Sequence, residues 1–98
     1  MNASVAIQIL PGIDGDEEIV RVVDEVIAYI KSKDLHTYVG PFETVVEGEY
    51  EEVMEIVKQA QLIAIEAGAP SVMSYVKIHF KPKGGVLSID QKVKKHHK

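Results

Sequence analysis

The 98 residues contain no cysteine, which excludes disulfide frameworks and thiolate metal sites and fits a reducing compartment. Arginine occurs once, at Arg21, and the formal net charge is −4. Binding to a phosphate backbone needs clustered Lys and Arg, so no nucleic-acid partner is expected. No apolar run approaches ~18 residues, and the opening MNASVAIQIL lacks the basic region and apolar length of a secretory leader. The chain therefore reads as cytoplasmic, with no membrane partner. Catalytic signatures are also missing. There is no Gly-x-Ser-x-Gly elbow and no Walker loop, and His36, His79, His96 and His97 show no recognised ligand spacing. The turn Pro11-Gly12-Ile13-Asp14-Gly15-Asp16-Glu17-Glu18 is acidic, unlike an arginine-bearing phosphate loop. The expectation is a non-enzymatic protein with no metal and no cofactor.

What is present is an ordinary globular composition, 46% hydrophobic and 27% charged, in a length that suits one domain burying roughly 60–65% of its unfolded surface. Residues 3 to 10 alternate, with Val5, Ile7 and Ile9 on one side and Ser4, Ala6, Gln8 and Leu10 on the other, as in a half-buried strand. Glu17 to Lys33 aligns Ile19, Val23, Val26, Ile27 and Ile30 as an amphipathic helix, with Asp14 or Asp16 as its expected cap. Residues 35–41 and 42–48 read as a hairpin around Gly40-Pro41. Helical spacing returns from Glu49 to Gly68, where Gly68 suits the C′ position and Pro70 enforces the stop. Ser71 to Lys81 alternates again as a fourth strand, with Val72, Val76, Ile78 and Phe80 on the helix side.

The order β-α-β-β-α-β, closed by two right-handed crossovers, predicts an α+β ferredoxin-like fold: a four-stranded antiparallel sheet with two helices on one face. Residues 1–98 then form a single domain with a C-terminal extension from about residue 84. The extension is too apolar at Val86, Leu87 and Ile89 to be free, and it is expected to pack on a neighbouring subunit.

The other face of such a sheet is open. Period-two assignment puts Gln8, Tyr75, Lys77 and His79 there, with Glu43, Val45 and Glu47 if Phe42, Thr44 and Val46 point inward. Small residues, an amide, an aromatic and carboxylates suit a face covered by another sheet. A covered carboxylate needs hydrogen-bond donors, and a ligand amine is one such donor. Glu47 is thus either a ligand acceptor or a solvent-facing residue at a strand end, while Glu43 reads as a surface or hairpin residue. Gln8 can pair with a ligand edge or a subunit interface. Tyr75 can stack on a heterocycle or pack in an interface. Thr44 offers a hydroxyl to ligand, or, pointing inward by alternation, is a β-branched strand residue.

Gly40-Pro41, Thr44, Glu47-Gly48, the apolar-Lys-Ile pattern at Val76 to Ile78 and the tail from Gly84 to Val93 resemble the thiamine-binding protein family. These are small ferredoxin-like proteins related to the thiamine-binding component of a hydroxymethylpyrimidine transport system. The resemblance implies a small-molecule ligand, thiamine or its hydroxymethylpyrimidine moiety, bound by Gln8, Thr44, Glu47 and Tyr75. It also implies a homo-oligomer, dimer or tetramer, joined through the open sheet face and the C-terminal segment. Many relatives read Lys-Ile-Asp where this chain has Lys77-Ile78-His79, a departure that bears on ligand choice. The alternative reading is an assembly module without a small-molecule ligand.

Overall fold

Alternating and helical segments fold in the expected order. The computed structural model describes residues 1–97. It contains β1 (Ala3–Pro11), α1 (Asp16–Ser32), β2 (His36–Val39), β3 (Thr44–Gly48), α2 (Tyr50–Glu66), β4 (Val72–Phe80) and a short α3 (Ile89–Val93), followed by a 3-10 turn at Lys94–His96. The strands form one antiparallel sheet in the order β2-β3-β1-β4. This is the ferredoxin-like arrangement, with the crossover helices α1 and α2 packed on one face.

The register settles which residues meet the helices. Val5 lies opposite Val46 and Ile78, and Ile7 opposite Thr44 and Val76. Val5, Ile7, Ile9 and Val46 join Val22, Val26 and Ile30 of α1 and Val53, Ile56, Ala60 and Ala64 of α2 in the buried core. The α1 stripe is rotated by about one residue from the expected one, with Val22 at its centre and Val23 and Ile27 only half-buried. Ile78 and Phe80 share the helix-side face of β4 but remain 45% exposed. β4 is an edge strand, and at its end Phe80 stacks on Tyr50 of α2 at 4.3 Å between ring centroids.

Three local expectations are corrected. The cap of α1 is Gly15, at φ 92°, rather than Asp14 or Asp16, and it makes no side-chain cap bond; Asp16, Glu17 and Glu18 instead place negative charge in the first turn. The hairpin strands are shorter than 35–41 and 42–48, because the Gly40 amide donates to the Glu43 carbonyl (2.9 Å) and closes a four-residue turn. Phe42 sits in that turn and is 78% exposed rather than inward-facing. At the end of α2, Gly68 does take the left-handed conformation (φ 111°), and the Ala69 amide donates to the Ala64 carbonyl as in a Schellman cap.

Candidate functional site

On the open face the register lines side chains up in rows across the strands. The first row runs His36, Glu47, Ser4, His79, and the second Tyr38, Val45, Ala6, Lys77. Beyond them lie the pairs Gln8 with Tyr75 and Leu10 with Met73. The second row, with alanine in its middle, forms the floor of a groove of about 500 Å³. The hairpin turn Gly40–Glu43 supplies one wall, and Ile89, Lys92 and Val93 of the C-terminal segment supply another. That volume is in the range of pockets for small organic molecules.

The polar groups of the groove are few. Lys77 Nζ donates to Glu43 Oε2 at 3.1 Å, spanning the floor above Ala6, and His79 and Lys92 stand at the lining. With three-quarters of the lysine side chain exposed, this ion pair adds little stability. Its weight lies in fixing a carboxylate and an ammonium across an apolar slot.

The C-terminal segment reaches this face by reversing at residues 82–85. Gly84 and Gly85 adopt φ values of 88° and 75°, and a Cβ at Gly85 would lie 2.8 Å from the Met1 carbonyl oxygen. α3 then lies over the first row. Ile89 is buried, and its amide donates to Glu47 Oε2 at 2.7 Å. His36 Nε2 stands 3.6 Å from Asp90 Oδ1. The extension thus packs on its own sheet, while Leu87 stays exposed.

The four residues anticipated from sequence are dispersed around this groove. Glu47 is 7% exposed beneath α3. Gln8 and Tyr75 face the open side one row beyond the floor. Thr44 is buried on the helix side, opposite Ile7. None of the four is among the lining residues, which include instead Ala6, Tyr38, Phe42, Glu43, Val45, Lys77 and His79. Two signals for the missed parts were present in the sequence. Gly40-Pro41 marks the turn that carries Phe42 and Glu43. Ser88-Ile89-Asp90-Gln91 has capping-box spacing, and Ser88 and Gln91 do exchange side-chain bonds with each other's amides (3.1 and 2.7 Å). Among the described residues, no group of three or more His, Asp or Glu could hold a metal ion, and no helix is long and apolar enough to cross a membrane.

Comparison with known proteins supplies the family. The chain is 48% identical over 93 residues to a UPF0045 protein of Clostridium perfringens, covering 95% of each. It superposes with a TM-score of 0.87 and 32% identity on a domain of unknown function, DUF77, from Bacillus cereus, covering 98% of this chain and 90% of that one. A Thermotoga maritima protein provisionally named for thiamine biosynthesis or salvage matches with a TM-score of 0.84 and 33% identity, over 98% and 99% of the two chains. A family model described as thiamine-binding protein matches residues 5–97. Because that match runs from β1 through the C-terminal segment that walls the groove, the chain belongs to the thiamine-binding protein family.

Proposed function

We propose that the protein is a cytoplasmic, non-catalytic binding protein for thiamine or its hydroxymethylpyrimidine moiety, a carrier, buffer or sensor, and that the open-face groove is its ligand site. The observation that carries this reading is an apolar slot of about 500 Å³ crossed by the Glu43–Lys77 ion pair, in a chain of the thiamine-binding family. Tyr38 and Phe42 offer aromatic faces to a heterocycle. Glu43 accepts from an exocyclic amine, exchanging its bond to Lys77 for one to ligand. Gln8 and Tyr75, one row further along the sheet, extend the same surface and meet ligand or a second subunit there; Thr44 acts from behind the sheet by holding the start of β3, between Glu43 of the turn and Val45 of the floor. His79, where many relatives have an acid, makes this groove less negative and less selective for cations.

Thermal melts test the reading. A ligand that binds only the folded state adds RT ln(1 + [L]/Kd), about 2.7 kcal/mol at a hundredfold excess over Kd, or a rise of roughly 10–20 °C for a domain of this size. Thiamine or hydroxymethylpyrimidine should raise the midpoint in a dose-dependent way, unrelated heterocycles should not, and Val45→Phe, which fills the slot, should abolish the rise. No shift at millimolar ligand would sink the proposal.

One observation favours the assembly reading beside it. Leu10, Met73 and Tyr75 form an exposed apolar strip on the same face, the last two each 59% exposed. Such a strip suits a homo-oligomer, dimer or tetramer, joined through this face and the neighbouring C-terminal segment. Sedimentation of the wild type and of Met73→Glu separates the two roles, since the strip lies outside the groove lining.

A further inference from the structure

α3 has five residues, Ile89–Val93, too few to be helical on their own, because nucleation costs more than so few bonds return. Its docking therefore depends on contacts from outside. The amides at the start of a helix have no partner within it. The Ser88 and Gln91 side chains satisfy the amides of Gln91 and Ser88. The Ile89 and Asp90 amides are left, and Glu47 Oε2 takes that of Ile89, at 2.7 Å. Glu47 is itself enclosed on a strand between Ser4 and His36, where a carboxylate needs a donor. Each group thus answers a deficit of the other.

We infer that Glu47 is a positioning residue. It docks the C-terminal segment onto the open face and so erects the groove wall that Ile89, Lys92 and Val93 provide, without itself touching ligand. The inference rests on the groove being the ligand site, but its structural half stands apart from any ligand. The other polar ties, His36 to Asp90 at 3.6 Å and Tyr38 to His97 at 3.5 Å, are exposed and do not replace a buried, charge-assisted bond.

Hydrogen exchange of residues 86–97 in the full-length protein, with titrations of thiamine and hydroxymethylpyrimidine as probes, tests both halves. Glu47→Gln keeps an acceptor oxygen of the same shape, and Glu47→Ala removes it. Glu47→Ala should speed exchange in the segment roughly ten- to hundredfold, as loss of a hydrogen bond to a charged group implies, leave β1 and β3 protected, and weaken the probes by a similar factor. Glu47→Gln should restore most of both. Ile89→Ala, which loosens the segment from its own side with Glu47 intact, should weaken the probes to a comparable degree, and it serves if Glu47→Ala fails to fold. The inference is overturned if Glu47→Ala leaves the segment protected, or if Ile89→Ala loosens it without affecting the probes. It is equally overturned if Glu47→Gln abolishes probe binding while the segment stays protected, for Glu47 would then be a ligand contact. A wild type that binds neither probe removes the groove reading, and the exchange rates still decide the anchoring.

Discussion

Val45 and Val46 are adjacent in β3, yet the register sends them to opposite faces. Val46 has no exposed surface and sits opposite Val5 in the core, whereas Val45 is half-buried in the groove floor opposite Ala6. The same substitution should therefore cost very different amounts. Val46→Ala removes two buried methyl groups, about 1.6 kcal/mol of transfer free energy at ~0.8 per carbon. A closely packed core refills the void only in part, and the total rises to roughly 2–3 kcal/mol. In a domain of this size each kcal/mol moves the midpoint by about 4–8 °C, so a fall of roughly 8–24 °C is expected. Val45→Ala widens a groove that is already open and should cost under ~1 kcal/mol. Urea denaturation followed by circular dichroism measures both, with unchanged m-values showing that stability rather than the unfolded state has moved. Equal costs, or a larger cost at Val45, would refute the assignment, since a slip of one residue exchanges the two faces of the strand. The groove would then be lost with the register.

Two further outcomes follow from the same geometry. Arg21 donates to Glu18 Oε2 at 2.9 Å, and this hydrogen bond, with the attraction between the charges, holds the Glu18 carboxyl below its ordinary value. A depressed carboxylate contributes stability above its unfolded pKa and loses it as pH falls through the lower folded one. The pair is exposed, so the contribution is small and salt-sensitive. NMR titration should show Glu18 moving up towards the normal range in Arg21→Gln, and an unmoved midpoint would contradict the pairing. Gly85→Ala forces a Cβ towards the Met1 carbonyl at a positive φ and should cost about 1–3 kcal/mol. Exchange in residues 86–97 should accelerate well before that of the core, and a uniform change would show that the reversal at 82–85 is not what places the segment.

The fold was legible because its signals are local. Alternation in residues 3–10 and 72–80 and helical spacing in 17–33 and 49–68 each declare an element, and only one handedness of crossover closes them. The same locality explains the misses. The stripe on α1 is broad, so its apolar residues do not say whether Val22 or Val23 faces the sheet; the angle at which the helix lies on β1 and β2 decides that. Period two was carried past Thr44 into Phe42, but the Gly40-to-Glu43 bond ends the strand before it.

For the site, sequence alone determined that one sheet face lacks a helix to cover it and that carboxylates, an amide and an aromatic stand on that face. Only the tertiary structure decided how they are used. Glu43, which looked like a surface residue, meets Lys77 across β1 because Ala6 leaves the space between them open. Glu47, which looked free for a ligand, is taken by an amide 42 residues further along the chain. Periodicity reports which way a side chain points. Its partner is chosen by the turn at residues 82–85, which sends the chain's end back across the sheet, and no repeat of two or of 3.6 residues encodes that return.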